Sequence, residues 1–299
     1  MPDFLARLKS KFDSTNFRLR VLSMVIGAPL ALGCVYVGGW IYSLVVMLFM
    51  AVALHEWVRV VSPAASWRVK VAAQAALAIT FGVGFVVSFL VGMNVLCFIG
   101  CDREALAVQK AVCVFIELVS LAIVYGVAWL DDKKSARWVV LGIPYIGFGG
   151  FALLYMRFFF GLAPTVYLFL TVWGTDIGAY LAGLTIGGPK LAPKVSPKKT
   201  WAGLIGGMAF AAFFGYLVAS GFGYSEQARM AAKLSLVLAV VAQAGDLFES
   251  YLKRRSGVKE SGGLIPGHGG VLDRIDGLLF AAVFFVLTML ATNNGQAWL

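Results

Sequence analysis

The sequence predicts an all-α, polytopic membrane helix bundle with about nine transmembrane helices and a cytoplasmic N-terminus. Three observations carry that prediction. The chain has 299 residues, of which 60% are hydrophobic and only 13% charged, with a mean hydropathy of +0.85. A soluble domain of this size could not bury so much apolar surface. Apolar runs long enough to span then recur at about 20–37, 39–57, 70–92, 107–130, 137–160, 164–184, 201–222, 231–249 and 276–292. The loop charges test that count independently. With the N-terminus inside, segments 1–20, 58–70, 131–137, 184–200 and 250–276 hold 20 of the 25 Lys and Arg residues, and Arg103, Lys110, Arg157, Arg229 and Lys233 fall at outer ends. That asymmetry is what the positive-inside rule requires, and misplacing one early span would destroy it.

The elements follow in order. Residues 1–19 put Phe4, Leu5, Leu8 and Phe12 on one helical face with Arg7, Lys9 and Lys11 elsewhere, which predicts an amphipathic interfacial helix. Residues 20–160 read as a frame of transmembrane helices, and 161–299 as a catalytic transmembrane region with cytoplasmic loops 184–200 and 250–276. The apolar piece 92–100 is either a half-span or an extension of the third helix. The first apolar run continues into further spans and lacks a convincing cleavage site, so no secretory signal is expected. The net charge of +10 is read as contact with anionic lipid headgroups, not nucleic acid. Cys34, Cys97, Cys101 and Cys113 read as small packed hydrophobes. His55-Glu56 lacks the second histidine of a zinc protease motif, because Arg59 stands there, and reads as an interfacial anchor with Trp57. Glu117 sits mid-span and should face the bundle interior, with no role assigned.

The chemistry concentrates in three places. In the stretch 245–276, Asp246, Glu249, Ser250 and Lys253 share one helical face at i, i+3, i+4 and i+7, and Asp273 and Asp276 open the last span. Carboxylates converging in apolar surroundings repel one another unless a divalent cation joins them, and oxygen ligation without thiolate favours Mg²⁺ or Mn²⁺ over Zn²⁺. The second place is GGPKLAPKVSPKKT over 187–200, where Pro189, Pro193 and Pro197 forbid continuous helix and each precedes a lysine. An extended basic strip carrying Ser196 and Thr200 suits phosphate oxygens. The third is Asp176, about eight residues (roughly 12 Å) inside its span. It is flanked by Gly174, Gly178 and Gly183, which predict close helix approach and a cavity between helices. No Ser/His/Asp order, P-loop or dinucleotide fingerprint is present.

Ser250, Lys253, Arg254, Lys259, Pro266, His268, Gly269, Gly270, Asp273, Arg274 and Asp276 are spaced as in the motif of phosphatidate cytidylyltransferases, or CDP-diacylglycerol synthases, which this stretch resembles. Asp176, Ala179, Tyr180 and Gly183, then Ser196, Lys198, Lys199, Thr200 and Trp201, resemble the same family. Glu260, Leu184 and Ala202 depart from it, where Asp, Arg and Glu are usual. The resemblance implies transfer of the cytidylyl group of CTP to phosphatidic acid, giving CDP-diacylglycerol and pyrophosphate. It implies Mg²⁺, one ion or two, on Asp246, Asp273 and Asp276, with Asp176 and Glu249 as further ligands. Asp246, Lys253, Asp273 and Asp276 would be the catalytic set. Ser196, Lys198, Lys199, Thr200, Arg254, Lys259, His268 and Arg274 would hold the substrates. The expected partners are CTP, phosphatidic acid and membrane lipids, with a homodimer as one option. The expected location is a bacterial inner membrane with the site facing the cytoplasm. A CTP-dependent kinase of a membrane alcohol and a transporter with an intramembrane aspartate are the alternatives.

Overall fold

The computed structural model describes residues 15–96, 103–264 and 269–292, with side chains described over 25–87, 111–264 and 269–292. Among them run α1 (Thr15–Val37), α2 (Gly39–Val61), α3 (Trp67–Leu96), α4 (Arg103–Asp131), α5 (Ala136–Tyr155), α6 (Leu162–Thr185), α7 (Trp201–Gly221), α8 (Ala228–Arg255) and α9 (Leu272–Ala291). Each expected span has its helix. Seven helices are long and apolar enough to cross a membrane, which makes this an integral membrane protein. The other two expected spans differ. α1 contributes a shorter apolar stretch, Val25–Val37, and α6 is diluted by four threonines, three glycines and Asp176. The interfacial helix expected over 1–19 lies outside the described residues but for the first turn of α1, as do Cys97, Cys101 and His268.

Burial follows helix faces. Leu54, Trp57, Ile143, Ile146, Tyr167, Leu238 and Phe285 fill the interior, whereas Trp40, Leu48, Phe85, Phe115 and Phe213 point outward. An apolar exterior of that extent suits lipid rather than water. Between α6 and α7 the backbones themselves touch. A Cβ on Gly178 would strike the carbonyl oxygen of Gly206, and one on Gly207 that of Thr175. The glycines around Asp176 therefore do approach a neighbour closely, and the approach makes a packed seam.

The loops rich in lysine and arginine gather at one end of the bundle. Ser66 N donates to Asp131 (2.6 Å) and Ser135 Oγ to Ser62 Oγ (3.1 Å). Arg255 stacks on Trp138, 4.7 Å from its ring centre. The basic strip after α6 is a hairpin, not a featureless loop. Strands β1 (Lys190–Ala192) and β2 (Ser196–Thr200) pair antiparallel, with Lys190 opposite Thr200 and Ala192 opposite Ser196. Proline is tolerated because such a short ribbon is all edge. Gly187 and Gly188, at φ 66° and 89°, turn the chain out of α6. The buried Thr200 hydroxyl caps α7 by accepting from Gly203 N (3.0 Å).

Candidate active site

The last turns of α8 present the charged face that helical spacing predicts. Ser250 Oγ donates to Asp246 Oδ1 (3.2 Å). Lys253 Nζ lies 2.6 Å from Asp273 Oδ1 on α9 and 2.5 Å from Glu249 Oε2 on its own helix. Glu249 is 1% exposed and its Oε1 has no hydrogen-bond donor. A lysine shared by two buried carboxylates is the arrangement that keeps both tolerable in an apolar bundle. Lys253, Arg254 and Arg255 also close α8 with positive charge where the helix dipole favours it.

Asp273 is surrounded by donors. Besides Lys253 it accepts from Ser261 N (3.1 Å) and Gly270 N (2.9 Å), so it ties both described ends of the 256–271 connection to the start of α9. Asp246 pairs with Lys199 of β2 at 2.7 Å. Asp276 accepts from Gly277 N (2.7 Å), and its backbone carbonyl takes the Tyr145 hydroxyl (3.3 Å). Asp176 is exposed on α6. Asp246, Lys199 and Arg274 lie within electrostatic range of it, and Asp276 lies within range of Asp176, Asp246 and Glu249. Three helices thus aim carboxylates at one region, with lysines from β2 and α8 at its rim. Among the described residues, no three His, Cys, Asp or Glu side chains converge closely enough as they stand to ligate one ion.

The other expected residues divide by exposure. Lys198, Arg254, Lys259 and Arg274 are exposed, and Arg254 reaches back to the Val195 carbonyl (3.4 Å), bracing the hairpin against α8. Ser196 is half-buried on β2, while Thr200 is turned inward as a cap. A family model described as "Cytidylyltransferase family" matches residues 18–292. The chain belongs to that family. A relative named phosphatidate cytidylyltransferase from Brucella suis is 36% identical over 281 residues, covering 91% of this chain and 93% of its own length. One of the same name from Synechocystis is 31% identical over 291 residues, covering 92% and 98%. Another, from Rickettsia bellii, is 45% identical over a shorter stretch of 127 residues, 40% of this chain and 54% of its own.

Two residues of this cytidylyltransferase family member reach the site from helices expected to be frame. Glu56 and Trp57 do not anchor α2 at an interface: both are buried, and only His55 is exposed. Glu56 Oε2 accepts from Leu272 N (2.8 Å) and from Ser261 Oγ (3.3 Å). Tyr145 of α5 packs against Trp57, Phe248 and Phe280, forming an aromatic floor below the acids. The available signal for Glu56 was the one used for Asp176, a lone acid inside an apolar run. In the sequence the adjacent His55 makes the pair look like half of a zinc protease motif. Glu117 takes the Thr80 hydroxyl at 2.8 Å, a helix-to-helix bond between α4 and α3 far from this site in sequence.

Proposed function

We infer that this protein is a phosphatidate cytidylyltransferase acting at the cytoplasmic face of a bacterial inner membrane. A phosphate oxygen of phosphatidic acid attacks the α-phosphorus of CTP, a new P–O–P linkage forms, and the bond to pyrophosphate breaks. The observation that carries this reading is the pair of lysine–carboxylate bridges at one end of the bundle, Lys199 of β2 on Asp246 of α8, and Lys253 joining Glu249 of α8 to Asp273 of α9. The full-length relatives of that name support the choice of substrates. The lysine- and arginine-rich end is assigned to the cytoplasm by the positive-inside rule.

The residues fit Mg²⁺ by donor chemistry, since every candidate ligand is a carboxylate. Asp246 and Asp276, with Asp176, are the carboxylates suited to hold it. Bound there, one ion or two would neutralise charge on the leaving pyrophosphate. Asp273 and Glu249 are better suited to hold Lys253, because their oxygens already serve it. Lys253 and Lys199 place positive charge beside the phosphates, and Lys198, Arg254, Lys259 and Arg274 supply the outer cations for CTP and the lipid headgroup. The attacking phosphate is already anionic near neutral pH, so positioning and charge neutralisation carry the chemistry without a strong base.

The test is purified protein in detergent with phosphatidic acid and Mg²⁺, supplied with CTP labelled at either the α- or the γ-phosphate. Label from the α-position should enter the lipid phase and EDTA should stop it. Label entering only from the γ-position would make the protein a kinase, and no lipid label with either substrate would refute the assignment.

A further inference from the structure

Glu56 stands 205 residues before Ser261 and 216 before Leu272, yet it binds both. It is 5% exposed, an unusual place for a carboxylate unless its oxygens are used. Both bonds fall on the segment that delivers Asp273 and Asp276. Leu272 N is the first amide of α9, so the carboxylate sits where the helix dipole is positive. Ser261 is used twice, its hydroxyl by Glu56 and its amide by Asp273. The local glycines follow from the same geometry. A Cβ on Gly262 would collide with Glu56, and one on Gly270 with Glu56 and the Ser261 hydroxyl. The connection therefore wraps closely around a side chain that belongs to α2.

We propose that Glu56 is a positioning residue of the active site: through Leu272 N and Ser261 Oγ it fixes the start of α9, and with it the placement of Asp273 and Asp276. The proposal rests on the reading of the site given above. Its two bonds need an acceptor oxygen of the right reach rather than a charge. Glutamine supplies that oxygen, alanine does not, and aspartate is one methylene short. Residues that orient primary ligands in this way typically cost ~10- to 100-fold in activity when removed.

Glu56→Ala, Glu56→Gln and Ser261→Ala are compared in detergent-purified protein, with kcat and KM for CTP and phosphatidic acid normalised to folded material by gel filtration. Hydrogen–deuterium exchange of the peptides covering 256–280 is followed in parallel. Glu56→Ala should lower kcat by ~10- to 100-fold with KM changed less than about 3-fold. Glu56→Gln should stay within about 3-fold of the parent, and Ser261→Ala should fall between. Exchange at the start of α9 should quicken in the alanine variant and not in the glutamine variant. If Glu56→Ala merely lowers the yield of folded protein, with unchanged kcat per folded molecule and unchanged exchange, the residue is structural and the proposal fails. If glutamine is as damaging as alanine, an acceptor oxygen is not what matters, and the proposal likewise fails. Should the parent protein make no product at all, the functional assignment is what falls; the exchange comparison still decides whether Glu56 holds α9.

Discussion

Replacing Lys253 by methionine separates charge neutralisation from chemistry. Lys253 is the ion-pair partner shared by Glu249 and Asp273, whose side chains are 1% and 8% exposed, and is itself 13% exposed. Methionine keeps the length and the apolar stem but strands the buried Glu249 and leaves Asp273 with only its amide donors. Removing one partner of a buried pair costs about 3–5 kcal/mol, because the remaining charge cannot return to water. At about 2–4 °C per kcal/mol, on the scale of soluble domains, the unfolding midpoint should fall by about 6–20 °C. Adding Glu249→Gln removes one stranded charge, so the double variant should recover much of that loss. Turnover should behave differently. A positive group directed at developing charge contributes about 10²–10³ in rate, and the double variant has lost the one that Lys253 supplies. The assay is a fixed-rate thermal scan in detergent together with lipid labelling from CTP, applied to the parent, both single variants and the double. A single variant as stable as the parent would refute the shared-lysine argument. A double variant that regains turnover along with stability would show that Lys253 serves the fold alone.

Three further outcomes follow from the geometry. Asp246→Asn or Asp276→Asn should lower turnover by at least about 10²-fold while gel filtration stays unchanged, and raising Mg²⁺ should not restore Asp276→Asn. Gly178→Ala places a methyl against the Gly206 carbonyl oxygen and should cost about 1–3 kcal/mol, read as a lower thermal midpoint, because backbone cannot swing aside as a side chain can. Thr200→Ala removes the cap on α7 and should cost about 1 kcal/mol, whereas Thr200→Ser, which keeps the hydroxyl, should be close to neutral in the same scan.

Most of the architecture was legible in the sequence because a bilayer leaves the chain few choices. Length and apolarity located each spanning helix among the described residues, and the i, i+4 spacing of Asp246 with Ser250 and of Glu249 with Lys253 became direct contacts. What escaped was pairing at a distance. Nothing local in Ser-Pro-Lys-Lys-Thr says that Lys199 meets Asp246, or that the strip folds back as a hairpin. Nor can spacing tell an acid aimed at substrates from one saturated by amides. Asp273 and Asp276 are three residues apart, yet the first accepts from Lys253, Ser261 and Gly270 while the second accepts from the amide of its neighbour Gly277. Glu56 shows the same gap from the other side, since its partners lie more than two hundred residues away.

The glycine seam joining α6 to α7 also determines how the site is held together. Carbonyls and α-carbons in contact leave no side-chain cushion, so the separation of the two helices is set by backbone atoms themselves. Asp176 stands on the first, and Lys199 lies two residues before the start of the second, so both are placed by this seam. Asp246 and Asp276 sit on α8 and α9, whose backbones meet in the same way at Gly245 and Gly277, so the Lys199–Asp246 bridge ties one closely packed helix pair to the other.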